Sequence, residues 1–235
     1  MQRQDTRFIF VVSTSGSVMN RVLASNFLRA VVHSVVVDQP CQAVAEAQAW
    51  GLPVTLFEEG SPEAFCSRLT QYMEEHHIDY IISFYTQFYS KAFRDAYRDR
   101  IINFHPSLLP AFKGMDGFGD GVAYHTKIIG TTVEFIKDVM DEGKIIMQTA
   151  CTVDPRLSHA ALRHRIFVQQ CKTLLQVVKW LIDDRVRVDG NRVTIAEAGY
   201  HDLEFVPALE CREALDLQVA LPSVVAGTAT MVTRR

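Results

Sequence analysis

The chain has 235 residues, of which 48% are apolar, and this composition predicts one compact domain and excludes a disordered chain. Its 24 basic and 27 acidic side chains are mixed without long runs, so the net charge of -3 gives no electrostatic footprint for a nucleic-acid partner. The first apolar run is far shorter than a membrane span, which disfavours membrane insertion. Five scattered cysteines without a C-x-x-C pair indicate neither a disulfide framework nor a zinc site, so we expect a reducing, cytoplasmic setting.

Short apolar runs alternate with amphipathic stretches through the first half, a pattern typical of β-α units that build a parallel sheet. The predicted strands are residues 8–12, 34–37, 54–57 and 80–83. The predicted helices are residues 18–30, 43–50, 62–76 and 87–97, each with apolar side chains at three-to-four spacing. This half therefore predicts an open sheet like that of nucleotide-binding folds.

A further strand at residues 101–104 leads into a segment dense in proline and glycine. Pro106, Pro110 and the four glycines between residues 114 and 121 fall within sixteen positions. Because proline and glycine disfavour helices and central strands, we predict a long functional loop here. For residues 114–121, a flexible lid over the substrate and a surface loop without a catalytic role are equally good interpretations.

The second half is expected to add antiparallel pairing to an α/β fold. The patterns predict strands at residues 131–136 and 144–150, a helix at 159–184, and a hairpin of residues 186–188 and 192–195. We assign residues 1–198 to one domain and residues 199–235 to a C-terminal extension of unknown role. Residues 223–235 are predicted to be frayed. The predicted architecture is a mostly parallel central sheet with helices on both faces and an antiparallel C-terminal part.

The strand at residues 101–104 carries the most informative motif. Asn103 and His105 are two residues apart, so both side chains point the same way at the carboxyl edge of the sheet, where open α/β sheets bind ligands. An amide and an imidazole there could both donate to one developing oxyanion. For an isolated N-x-H pair, a turn cap and a core histidine are the better interpretation, by roughly three to one. The longer string N-x-H-P-S-L-L-P, together with the D-x-G turn at Asp141, is more specific.

With these motifs the sequence resembles the folate-dependent formyltransferase family, and within it the phosphoribosylglycinamide branch. The resemblance covers residues 8–195 and is strongest over residues 101–110 and 130–148. It implies a Rossmann-like formyltransferase fold and a catalytic trio of Asn103, His105 and Asp141. It also implies N10-formyltetrahydrofolate as the co-substrate, a small amine as the second substrate and no metal. Asn103 and His105 would stabilise the oxyanion, and Asp141 would relay a proton through water.

The resemblance implies two groups of binding residues. On the folate side we expect Tyr85, Thr86, Gln87, Phe88, Val139 and Met140. On the side of the amine substrate we expect Thr14, Ser15, Gly16, Ser17, Pro106 and Gln170.

The chain departs from the family pattern in three places. Thr14, Ser15 and Val18 replace residues of the phosphate loop, so an ordinary strand-to-helix turn is as good an interpretation as a phosphate site. Residues 169–171 read Gln-Gln-Cys where the purine enzymes usually have a Glu-His pair, and the aromatic run at residues 84–89 lacks their arginine. These changes weaken the prediction of one particular acceptor.

Several functions therefore stay open. Glycinamide ribonucleotide, in purine biosynthesis, is the first candidate acceptor, and an amino sugar nucleotide or an ornithine-like amine is the alternative. A non-catalytic descendant that binds folate or a nucleotide is a third interpretation. A dinucleotide-dependent oxidoreductase is disfavoured because no G-x-G-x-x-G follows the first strand. The resemblance also leaves a homodimer open.

Overall fold

The computed structural model describes residues 6–220, so the predicted frayed end at residues 223–235 lies outside the described residues. The strands are β1 Phe8–Val12, β2 Val32–Val37, β3 Val54–Leu56, β4 Tyr80–Phe84, β5 Ile101–His105, β6 Ile128–Phe135, β7 Lys144–Thr152, β8 Val186–Asp189, β9 Arg192–Ile195 and β10 Phe205–Val206. The helices are α1 Ser17–Val22, α2 Asn26–Val31, α3 Gln42–Ala49, α4 Pro62–Glu75, α5 Lys91–Ala96, α6 Gly117–Ala123, α7 His159–Ile182 and α8 Arg212–Leu215.

The central sheet has eight strands in the order β10-β7-β6-β5-β4-β1-β2-β3. The first five strands of the chain pair in parallel, and β6, β7 and β10 extend the sheet with antiparallel pairs. β8 and β9 form a separate hairpin. The predicted α/β class, with a mostly parallel sheet and an antiparallel second part, is confirmed.

The core forms on both faces of this sheet, because the central strands are buried on both sides. Phe8 and Phe10 of β1 pack into a cluster that includes Trp180 of α7. Ile9 and Val11, which alternate with them, pack into a second cluster with α4 and α5. Helices therefore cover both faces, as predicted.

Two predicted helices are wrong in their extent. The expected helix at residues 18–30 is two six-residue helices, because Ser25 adopts an extended conformation between them and the Arg29 side chain donates to the carbonyl of Leu23. The expected helix at residues 87–97 begins only at Lys91, where the side chain of Ser90 caps it. The other predicted elements are present, with ends that differ by three residues or fewer.

The predicted loop after β5 is also wrong in part, because α6 occupies residues 117–123. The carboxylate of Asp116 caps this helix by accepting the N–H of Gly119 at 3.0 Å. Three glycines lower its intrinsic helix propensity by about 1 kcal/mol each, but Phe118 is buried against Ile129 and Leu162. Tertiary packing thus overrides propensity, and residues 117–121 are part of a packed helix and not a loop.

Residues 199–220 pack against the same core. β10 pairs with the edge strand β7, and the side-chain oxygen of Gln176 on α7 accepts the N–H groups of Glu210 and Cys211, both at 2.7 Å. Cys211 and Ala214 are buried against α7. None of the helices within residues 6–220 combines the length and the apolar character needed to cross a membrane.

Candidate active site

A cavity of about 400 Å³ opens at the carboxyl ends of β1, β4 and β5. The strand order reverses between β1 and β4, and such a reversal is where open α/β sheets bind ligands. All fifteen residues predicted for the site line this cavity: Asn103, His105, Asp141, Tyr85, Thr86, Gln87, Phe88, Val139, Met140, Thr14, Ser15, Gly16, Ser17, Pro106 and Gln170. The structure thus brings together segments that are up to 156 positions apart, from residue 14 to residue 170. The role of each residue stays a prediction.

His105 and Asp141 lie side by side in the cavity wall. β5 ends at His105, whose Nδ1 is 3.3 Å from Oδ1 of Asp141, and each side chain is 5% exposed. The other carboxylate oxygen of Asp141 accepts the N–H of Gly114 at 2.6 Å. Asp141 has a φ of 57°, a left-handed conformation that aspartate tolerates better than most residues. The turn after β6 therefore presents the carboxylate to the imidazole.

The second ring nitrogen of His105 faces a backbone carbonyl. Its Nε2 lies 2.9 Å from the oxygen of Phe112. A carbonyl only accepts hydrogen bonds, so with the carboxylate at Nδ1 both ring nitrogens face hydrogen-bond acceptors. Gly117 lies against this contact, since a Cβ there would be 2.6 Å from both Nε2 of His105 and the Phe112 oxygen.

Asn103 is held by a carboxylate that the sequence analysis missed. Strand register places Glu134 of β6 directly opposite Asn103, and Oε1 of Glu134 accepts Nδ2 of Asn103 at 3.3 Å. The other oxygen of Glu134 accepts the N–H of Gly143 at 2.9 Å. Burial raises the pKa of Glu134, the nearby Asp141 charge adds to the rise, and the two hydrogen bonds oppose it. The cavity therefore contains two buried carboxyl groups, those of Glu134 and Asp141.

The segment after β4, where we predicted folate-binding residues, forms an aromatic wall of the cavity. Tyr89 is fully buried, and burial raises the pKa of its hydroxyl, which therefore stays neutral. Thr86 and Gln87 are exposed and free to contact a ligand. Although this segment lacks the family's arginine, Arg94 of α5 packs against it, with its guanidinium carbon 4.1 Å from the Phe88 ring centroid.

The opposite wall is the loop between β1 and α1. Gly16 has a φ of 63°, and a Cβ there would be 2.8 Å from Cβ of Ala43. This position therefore accommodates only glycine. The helix behind this loop has six residues, so its dipole contributes less than the sequence suggested. The hydroxyl groups and backbone N–H groups of residues 14–17 are the remaining features suited to an anion.

Gln170 of α7 also lines the cavity. It is 4% exposed, its Nε2 donates to the carbonyl of Phe104 at 3.3 Å, and its Oε1 lies 3.5 Å from a guanidinium nitrogen of Arg163. Both ends of its side chain are thus engaged within the protein.

Three charged cavity residues were missed by sequence reasoning: Glu134, Lys137 and Arg163. A lone carboxylate in the apolar strand around Glu134 was a usable signal, because an acidic residue on a buried strand requires a partner. Lys137 and Arg163 carried no comparable signal, since cations at a strand end and on a helix are usually solvated. Within residues 6–220, no group of three or more histidine, cysteine or acidic side chains is arranged to hold a metal ion.

The model of the formyl transferase family matches residues 6–178 of this chain. The chain belongs to the formyl transferase family. Its resemblance to folate-dependent formyltransferases, expected from two short motifs, is thereby confirmed over most of its length.

Curated relatives of this chain include enzymes with two different names. The phosphoribosylglycinamide formyltransferase of Mycobacterium tuberculosis is 30% identical over 195 residues, which cover 80% of this chain and 91% of the relative. The formyltetrahydrofolate deformylase of Bacillus subtilis is 36% identical over 96 residues, which cover 41% of this chain and 32% of that enzyme.

A solved structure of the family supports the same fold. The glycinamide ribonucleotide transformylase 1 of Symbiobacterium toebii superposes with a TM-score of 0.77 at 25% identity, over 83% of this chain and 96% of that chain. This formyl transferase is therefore an enzyme of the folate-dependent type, similar to phosphoribosylglycinamide formyltransferases.

Proposed function

We propose that this enzyme transfers the formyl group of N10-formyltetrahydrofolate to the amine of glycinamide ribonucleotide, a step of purine biosynthesis. One observation carries the proposal: the amide of Asn103, the imidazole of His105 and the carboxylate of Asp141 line one cavity at the switch point of a formyl transferase fold. The free cysteines of the described chain fit a reducing, cytoplasmic setting.

The reaction is a direct attack of a neutral amine on the formyl carbon. A bond forms between the amine nitrogen and that carbon, and the carbonyl electron pair moves to oxygen, where Asn103 donates to the oxyanion. Collapse restores the carbonyl and breaks the bond to N10. The amine loses one proton and N10 gains one, and the Asp141 carboxylate relays this proton through water.

His105 is held between Asp141 and the carbonyl of Phe112, and in its protonated form it stabilises the negative oxygen electrostatically. To donate a hydrogen bond directly to that oxygen, Nε2 exchanges the carbonyl of Phe112 for the substrate.

The folate side of the cavity offers aromatic faces and exposed polar groups. Phe88, Val139 and Met140 supply apolar surface, and Thr86 and Gln87 supply hydrogen-bonding groups. This mixture suits a pteridine ring, which is flat and carries several hydrogen-bonding atoms.

The engagement of Gln170 favours a second candidate acceptor. Because its amide contacts Phe104 and Arg163, it is less available to ribose hydroxyls than a free carboxylate would be. An acceptor amine without a ribose, such as an ornithine-like amine, is therefore the alternative.

The test is an absorbance assay for loss of N10-formyltetrahydrofolate with glycinamide ribonucleotide, with other amines and with no amine. We expect the highest kcat/KM with glycinamide ribonucleotide and a loss of about 10²–10³ in kcat for His105→Ala. Faster turnover of another amine would reassign the acceptor. A rate that does not depend on any amine would indicate hydrolysis of the formyl donor, the activity named for the deformylase relative.

A further inference from the structure

Glu134 contacts both segments that carry the reacting centre. Its side chain is enclosed by the sheet and lines the cavity, with the residue 2% exposed. One carboxylate oxygen accepts the amide of Asn103 at 3.3 Å, and the other accepts the N–H of Gly143 at 2.9 Å, two residues after Asp141. A single buried carboxylate therefore links β5 to the Asp141 turn.

We propose that Glu134 is a positioning residue for formyl transfer, which aims the amide of Asn103 at the substrate oxygen and holds the turn that presents Asp141 to His105. This inference rests on the proposed function. It adds a fourth side chain to the trio identified from the sequence.

The orientation of Asn103 follows from what a carboxylate can do. An ionised carboxylate only accepts, so it draws the NH2 group of Asn103 toward itself and repels the amide oxygen. One N–H is donated to Glu134, and the second remains for the formyl oxygen. A neutral group at position 134 that also donates would attract the amide oxygen instead and allow Asn103 to flip.

The stability cost of this arrangement argues for a functional role. Burial raises the pKa of Glu134, so the folded protein favours the neutral form of this side chain more than the unfolded chain does. Ionisation of this side chain therefore opposes folding, and that opposition grows as pH rises through its pKa. A neutral side chain of the same size avoids this cost but loses control of Asn103.

The experiment compares Glu134→Gln and Glu134→Asp with Glu142→Gln, an exposed glutamate on the Asp141 turn. For Glu134→Gln we expect a fall in kcat of about 10–100-fold with KM for the formyl donor changed less than about threefold, as for an interaction made mainly in the transition state. Glu134→Asp should recover part of the loss, and Glu142→Gln should match the wild type.

Two pH measurements separate positioning from a general structural role. The wild-type kcat should fall as pH decreases through the pKa of Glu134, and Glu134→Gln should lack that part of the profile. The Tm of Glu134→Gln relative to the wild type should rise with pH, because only the wild type buries a charge there. A variant that is folded yet slow cannot owe its defect to unfolding.

Two outcomes of these experiments would overturn one or both proposals. If the wild type turns over and Glu134→Gln keeps its kcat and its pH profile, the positioning role is wrong while the proposed function stands. If the wild type consumes no formyl donor with any amine or with water, both proposals fail together.

Discussion

At the proposed reacting centre, each polar side chain is held by a contact from another part of the chain. Asp141 accepts the N–H of Gly114, His105 faces Asp141 and the Phe112 carbonyl, and Asn103 donates to Glu134. The amide of Asn103 and the carboxylate of Asp141 are thus oriented before charge develops, and such preorganisation is the main source of electrostatic stabilisation in enzymes.

Asp141→Asn tests the charge at this centre without changing the shape of the side chain. Asparagine also tolerates the left-handed backbone conformation, so the fold should be retained. Because the charge beside His105 is lost, we expect kcat to fall by about 10²-fold or more, with thermal unfolding shifted little. The measurement is kcat at neutral pH beside a thermal melt.

Asp184→Asn is the matched control for that substitution. Asp184 also has a positive φ, 52°, but is exposed and pairs only with nearby Arg187 at 3.5 Å. The kcat of the Asp184→Asn variant should equal that of the wild type. If Asp141→Asn kept half or more of the wild-type kcat, the carboxylate would have no catalytic role.

At the scale of elements, α6 forms where local sequence disfavours a helix. Gly117 and Gly121 are both buried, and the lack of a side chain at Gly117 lets the helix approach His105 and the Phe112 carbonyl. A glycine that lowers helix propensity thus permits this close contact.

Substituting alanine at two glycines of α6 tests this close approach. At Gly117 a Cβ would be 2.6 Å from Nε2 of His105, so Gly117→Ala should displace the imidazole and lower kcat by about tenfold or more. At Gly121 the nearest atom, on Phe112, is 3.6 Å away, so Gly121→Ala should keep activity. Alanine there should also raise stability by up to about 1 kcal/mol.

Steady-state kinetics and chemical denaturation of both variants check this prediction. Equal activity losses in Gly117→Ala and Gly121→Ala would show that α6 as a whole, and not its contact with His105, controls the reaction.

At the scale of the whole molecule, residues 199–220 pack onto the core of the domain. It adds β10 to the sheet, and its backbone N–H groups at Glu210 and Cys211 both depend on Gln176 of α7. Arg185 also pairs with Glu210 at 2.6 Å. The end of α7 is therefore stabilised by residues that follow it by 25 positions or more.

Gln176→Leu should weaken this junction. It keeps most of the side-chain volume but leaves two backbone N–H groups without their acceptor, and each such group costs about 1–3 kcal/mol when buried. We expect the free energy of unfolding in urea to fall by about 2–4 kcal/mol, with kcat of the folded enzyme unchanged because Gln176 lies outside the cavity wall.

Gln48→Leu, at an exposed position of α3, is the control and should change the free energy of unfolding by less than about 0.5 kcal/mol. A separate early transition in the wild type would mean that residues 199–220 unfold independently, contrary to this expectation.

The sequence by itself determined the fold class, most element positions and fifteen of the residues that line the cavity. The two-residue periodicity of strands and the 3.6-residue periodicity of helices can be recognised within short windows of sequence. In a motif such as N-x-H-P-S-L-L-P, the direction of the side chains follows from the alternation of faces along a strand. The site at the carboxyl edge then follows from the topology of parallel sheets.

Only the tertiary structure decided the contacts that depend on residues distant in sequence. The pairing of Asn103 with Glu134 needs the register of two strands and spans 31 positions, and that of Gln176 with Cys211 spans 35. Helix α6 and the contact between His105 and the Phe112 carbonyl likewise depend on packing against other elements. Such contacts leave no periodic trace in the chain, because their free energy comes from burial and strand pairing between segments and not from local backbone preference.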